Sequence, residues 1–334
     1  MLQLRNRTAL PTKLLAIPDP DGVETLHVMV KATFALTPAA PLAPQQRPIA
    51  LADVTEGDGA EAWLRVPSEV HPAKPGAEVL VDGHALAPGG RSVGVLDVGL
   101  AVGAWQRTLR VFGDRQYTGV AARWCTDPAP FARMPLTPRR AFGGICPVTQ
   151  QVEPRNPLGL GLAPDGLRDL RVLRGVALPN VEDPDALLGR PGDRPPPALL
   201  TPVAAAWHPR AGRVGTYDDA WDRSRAPFLP TDFDPRFLHA APEAMWLPTR
   251  PLGGEAITLH HLSESPLVES HVPVLGLRVR AKFRGEVVAL AVHAETLHLF
   301  PNEGVATLLV RATLRCGHRV LDVAAVEIDA GGAR

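Results

Sequence analysis

Cysteine is scarce in this sequence. Cys125, Cys146 and Cys316 are too few and too scattered for a disulfide framework or a zinc knuckle. Neither charge predominates, since 35 basic residues meet 35 acidic ones and the pI is about 7.2. That balance argues against nucleic acid or a membrane surface as partner, because both call for a basic excess or patch. No apolar run approaches the length of a membrane-spanning helix, and the opening MLQLRNRTALPTKLLAIPDP lacks the apolar stretch of a signal peptide. The chain is therefore expected in the cytoplasm. Lysine is nearly absent too. Lys13, Lys31, Lys74 and Lys282 stand against 31 arginines, a bias that suits a GC-rich coding sequence better than phosphate binding.

Helical periodicity is also missing. No segment sustains apolar residues at i, i+3, i+4 and i+7, so only short helices are expected, near 184–189 and 218–224. Strict alternation is present instead. LHVMVKATFAL (26–36) and ATLLVRATL (306–314) are apolar at every even position, and LGLRVRAKF (275–283) at every odd one. GAWQRTLRVFGD continues the theme with Trp105, Leu109 and Val111. A period of two predicts strands with one face on a core, leaving Lys31, Arg278, Arg280, Lys282 and Arg311 turned to solvent. The related segments VKATF, VRAKF and VRATL read either as remnants of a duplication or as coincidence among strands built from few residue types.

Proline marks the organisation, with 22 of the 36 prolines lying between residues 125 and 251. The reading is a mainly β fold: sandwich-like antiparallel sheets from the N-terminal (1–124) and C-terminal (252–334) flanks, with a Pro-rich irregular central region (125–251). These are three regions or one continuous domain. The centre carries Trp124, Trp207, Trp221 and Trp246 and the turn signals AFGG, RNPLG, LPN and VEDPD. Disordered Pro-rich segments are aromatic-poor, so this one is expected to be a braced, functional stretch.

Motifs of catalysis are weak. Gly90-x-Ser92-x-Gly94 has the letters of a nucleophile elbow, but the following VGVLDVGLAVG reads as strand rather than helix, which makes Ser92 a turn residue. Gly159-x-Gly161 lacks the third glycine of a dinucleotide fingerprint. His260, His261, His271, His293 and His298 crowd the C-terminal flank without zinc-ligand spacing. His293 and His298, five apart, fall on opposite faces of an extended strand, and all five read as surface and rim positions. No metal and no cofactor are expected.

The densest chemistry lies in GTYDDAWDRSRAPFLPTDFDPRFLHAAP (215–242), with five aspartates among five aromatics. Asp218, Asp219, Asp222, Asp232 and Asp234 do not have the alternating spacing of a calcium loop. Asp232 and Asp234 flank Phe233 just before Pro235, where Asx side chains cap turns, and Arg223, Arg225 and Arg236 are close enough to pair with them. Tyr217, Asp218, Trp221, Arg225, Asp232, Phe233, Asp234, Arg236 and Phe237 are read as a structural network or partner-binding surface. The alternative is a hydrolase using Asp232, Asp234 and a distant histidine.

Seven blocks then acquire a collective meaning: KPGAEVLVDGHALAP (74–88), LRVFGDR (109–115), PFARMPLTPRRAFGG (130–144), RNPLGLG (155–161), LPNVEDP (178–184), AGRVGTYDDAW (211–221) and LPTDFDPRFLHAAP (229–242). In this order they resemble a bacterial type VI secretion accessory family catalogued as a domain of unknown function. Its members are encoded beside VgrG spike proteins, PAAR tip proteins and toxic effectors. The resemblance implies a non-catalytic adaptor or chaperone that helps load an effector onto the VgrG–PAAR spike, with effector, PAAR and/or VgrG as partners. It supplies no catalytic residues. Glu78 stands where the family usually has Asp, a change that keeps the charge. A structural component travelling with the spike is the further alternative.

Overall fold

Alternation along the two flanks produces three sheets that share one apolar core. The computed structural model describes residues 2–120 and 123–331. In chain order the strands of these sheets begin with β1 (Gln3–Asn6), β2 (Thr12–Pro18), β3 (Glu24–Ala35), β4 (Ala77–Val81) and β5 (Val95–Val102). They continue with β6 (Trp105–Phe112), β7 (Val181–Glu182), β8 (Trp246–Leu247), β9 (Ala256–His260) and β10 (Leu267–His271). The last are β11 (Leu277–Phe283), β12 (Glu286–Leu290), β13 (Val292–Phe300), β14 (Val305–Gly317) and β15 (Val323–Ala330).

The six-stranded sheet runs β8-β4-β13-β14-β3-β2, the five-stranded one β7-β6-β5-β9-β10, and the four-stranded one β1-β15-β11-β12. Among the described residues of these sheets only β1–β15 and β4–β13 pair in parallel. The even positions Leu26, Val28, Val30, Ala32 and Phe34 of β3 enter the core as their alternation requires. Opposite them stand Leu314, Ala312, Val310, Leu308 and Ala306 of β14. Val98 and Leu100 of the second sheet and Val279, Ala281, Val326 and Ile328 of the third close the same core. Each such large apolar side chain contributes about 2 kcal/mol by leaving water. VKATF and VRATL, similar in sequence, are direct antiparallel neighbours, whereas VRAKF lies in the four-stranded sheet.

The centre is irregular, as its prolines dictate. Among the described residues between 125 and 251 no strand exceeds three residues and the one α-helix is α1 (Asp219–Ser224). A second apolar cluster of Tyr117, Phe142, Cys146, Leu162, Leu173, Leu178 and Leu188 braces this part. Tyr117 donates its hydroxyl to the Gly161 carbonyl at 2.9 Å. Short connections depend on glycine where backbones meet. A Cβ on Gly113 would lie 1.6 Å from the Ala129 carbonyl oxygen, and one on Gly144 (φ +83°) 2.1 Å from that of Gly159. All four central tryptophans, Trp124, Trp207, Trp221 and Trp246, are half-buried.

Four expectations need correction. Residues 184–189 form no helix: Asp183 accepts from Asp185 N at 3.0 Å and Glu182 from Leu188 N at 2.6 Å, folding VEDPDALL into turns. Lys31 and Arg311 do not face solvent but are 5% and 2% exposed, while Arg278, Arg280 and Lys282 are exposed as expected. Alternation separates two faces of β3 and β14, and here the second face is covered as well, by the connection from β3 to β4. His298 is buried rather than at a rim. It also shares a face with His293, opposite Thr307 and Arg311 respectively, because a bulge between Ala294 and Thr296 inserts one residue.

Candidate functional site

Segment 215–242 builds its shape from local hydrogen bonds. Asp218 caps α1, accepting from Trp221 N at 2.8 Å. Tyr217 meets the Trp221 ring edge-on, with centroids 4.6 Å apart. Trp221 Nε1 then donates to the Phe228 carbonyl at 2.8 Å, closing the turn that follows the helix. Arg225 donates to the carbonyls of Leu229 (2.7 Å) and Pro20 (3.0 Å), so it anchors the element to the β2–β3 turn rather than to an aspartate.

The two later aspartates are equally occupied. Asp232 accepts from Thr216 N at 3.0 Å and from Thr216 Oγ1 at 2.7 Å, bonds that hold its carboxyl below the usual range. Asp234 caps the turn Pro235–Leu238, accepting from Arg236 N at 2.9 Å and from Arg236 Nε at 2.8 Å. The Arg236 guanidinium is the main cause of its lowered pKa, and burial opposes it. Phe233 and Phe237 meet edge-on at 5.8 Å, and the Arg210 guanidinium lies 5.0 Å over the Phe237 ring. Thus Arg236 pairs with an aspartate, whereas Arg223 and Arg225 pair with none among the described residues. Among the described residues no histidine bonds to Asp232 or Asp234, and no group of three metal-ligating side chains converges anywhere.

What this element leaves outside is aromatic and acidic. Tyr217 is 50% exposed, Trp221 is half-buried, and Asp218, Asp219 and Asp222 are exposed around them. Its inner end reaches the sheet. His239 stacks on Trp246 at 4.5 Å and its Nδ1 lies 3.3 Å from Glu78 Oε2, and the same oxygen accepts from Ala241 N at 2.9 Å.

Glu78 opens a buried ionic chain that the sequence did not reveal. Burial alone would push its carboxyl up, but the Lys74 ammonium and His239 outweigh it and hold the group far below the ordinary range. Lys74 Nζ pairs with Glu78 and donates to Thr296 Oγ1 at 2.8 Å, while Lys74 N donates to Glu295 Oε1 at 2.9 Å. Glu295 Oε2 accepts from Arg311 Nε at 2.7 Å, and Arg311 Nη2 donates to the Glu69 carbonyl at 3.2 Å. Glu69 pairs with Lys31 at 2.8 Å. The chain runs across the second face of the six-stranded sheet and ties it to the β3–β4 connection and, through His239, to the 215–242 element. No local spacing announces it, since Glu78 and His239 are 161 residues apart.

The profile of a family described as an uncharacterized protein conserved in bacteria (DUF2169) matches residues 21–311. No curated protein and no solved structure matches the chain.

Proposed function

The chain belongs to the DUF2169 family, uncharacterized proteins conserved in bacteria. On that footing we propose that it is a non-catalytic adaptor. In this reading it helps load a toxic effector onto the VgrG–PAAR spike of a type VI secretion system. The observation that carries the reading is Tyr217. It stands half exposed, edge-on to Trp221, on an element clamped by Asp218, Arg225, Asp232 and Asp234. A rigid aromatic platform suits protein recognition, because aromatic anchors dominate interface energetics and a preorganised element loses little entropy on binding. The carboxylates that suggested hydrolysis are engaged in bracing this platform. The seven blocks resembling the secretion accessory family supply the choice of partner.

Purification of the tagged full-length chain from its native host tests the proposal. The expected result is co-purification of a neighbouring effector, PAAR or VgrG protein. Recovery of the chain without any of them, together with normal effector secretion from a deletion strain, would overturn it.

A further inference from the structure

The edge of the four-stranded sheet at β12 is left open in a way protein edges seldom are. Natural edges are blunted by proline, lysine or a bulge. β2 lies between Pro11 and Pro18 and carries Lys13, and β10 is flanked by Pro266 and Pro273. β12, with the sequence EVVAL, has none of these; its one charge is the exposed Glu286 at the first position, beside Phe283, and its pairing with β11 is regular over all five residues. Among the described residues its backbone hydrogen bonds go only to β11. Every other N–H and C=O of β12 therefore points away from the sheet. Val287, on the outer face of this edge, is 67% exposed.

Charge beside the edge is one-sided. The outer face of β11 presents Arg278, Arg280 and Lys282 at alternate positions, all exposed. On one flank β15 answers this ladder, setting Asp329 beside Arg278 and Glu327 beside Arg280 while Val326 and Ile328 face the core. Arg280 bonds to Asp329 at 2.7 Å, and Arg5 of the adjacent strand β1 and Arg7 just beyond it also use Glu327 and Asp329. On the other flank β12 offers only Val287 beside Lys282 and Ala289 beside Arg280. Lys282 has Ala325 on its β15 side and makes no ion pair among the described residues. A hollow of about 370 Å³ lies here, bordered by Arg5, Arg280, Lys282, Val287, Ala325 and Glu327.

We propose that β12 is a strand-addition site for an extended partner segment carrying acidic residues at alternate positions, the pattern β15 already shows inside the fold. Its backbone pairs with the free groups of β12, and its acidic side chains lie on the face of Lys282. An added strand stands two strand spacings from β11, about 9.6 Å. A lysine and a glutamate reaching over the small side chains of β12 span that distance. Strand addition draws affinity from the main chain and specificity from alternate side chains, which here means acidic ones. The site rests on this edge alone and goes beyond the adaptor reading by naming a place and a chemistry of binding.

The test titrates the full-length protein with a labelled, end-capped peptide alternating glutamate with valine, and with its lysine-for-glutamate counterpart. The expected result is saturable binding of the acidic peptide with new hydrogen-exchange protection of the amides of 286–290. The Lys282→Glu and Val287→Glu variants, both at exposed positions, should each bind roughly tenfold more weakly with unchanged melting. Equal binding of the lysine peptide, binding without protection of β12, or no binding overturns the proposal. The outcomes separate from those for the adaptor. If the acidic peptide leaves β12 of the parent protein unprotected while a neighbouring effector co-purifies, the edge site falls and the adaptor stands. If the acidic peptide protects β12 while no neighbouring protein co-purifies, the edge site stands and the adaptor falls.

Discussion

Arg311 Nε and Glu295 Oε2 lie 2.7 Å apart with both side chains about 1% exposed. Neither charge has access to water, so each depends on the other. Removing one partner of such a buried pair typically costs about 3–5 kcal/mol, because it strands the remaining charge. Arg311→Met is expected to lower the free energy of unfolding by that amount in urea titrations. Arg311→Met combined with Glu295→Gln should cost less than the sum of the two single changes.

Glu78 fixes one arm of the acid response. Its carboxyl is held far below the ordinary value near 4.5, so the folded state keeps it ionised where the unfolded chain takes up a proton. The stability it contributes is present above about pH 4.5 and is lost as the pH falls below that value. Glu78→Gln should therefore be less stable than the parent at neutral pH and show a flatter loss of stability between about pH 5 and pH 3.

His298 adds a second arm with the same sign. Burial, followed by the nearby Lys31 and Arg47 charges, lowers its pKa from 6.5 to about 3. The ring is neutral in the folded state while the unfolded chain protonates below about pH 6.5, so stability falls as the pH drops from there toward 3. The ring stacks on Phe300 at 4.2 Å, and among the described residues its Nε2 finds no hydrogen-bond partner. His298→Leu is expected to flatten the unfolding midpoint between pH 6.5 and 4 without loss at pH 7.

The aspartates of the 215–242 element should behave as braces. Asp234→Ala removes the cap on Pro235–Leu238 together with the Arg236 pair and is expected to cost about 1 kcal/mol. Asp232→Ala frees Thr216, and hydrogen exchange across 215–238 should quicken while the sheets keep their protection. If both variants exchange like the parent, the bracing role is contradicted.

The strands were legible because alternation is a local signal. The even positions of 26–36 and 306–314 enter the core as read. The covering of a sheet's second face depends instead on where a distant connection runs, and this misplaced Lys31 and Arg311 outside. The bulge at Glu295 has no signature in LHLF or VHAE, so the shared face of His293 and His298 was invisible too. The Asp-rich stretch was readable in part: Asp218 and Asp234 cap as their turn contexts require, yet Arg225 turned to carbonyls instead of carboxylates. The chain from Glu78 to Lys31 joins residues from five segments, and only the folded sheet assembles it.

The adaptor proposal places partner recognition on the aromatic platform of Tyr217 and Trp221. Calorimetric titration of the co-purifying effector or PAAR protein with the full-length chain and its Tyr217→Ala variant tests it most directly. Tyr217 supports nothing in the core and is half exposed, so the variant should melt like the parent. The expected result is a saturable complex for the parent and a loss of about 2 kcal/mol, roughly thirtyfold in Kd, for the variant. Equal affinity of the two proteins would contradict the platform, and absence of any complex would contradict the adaptor itself.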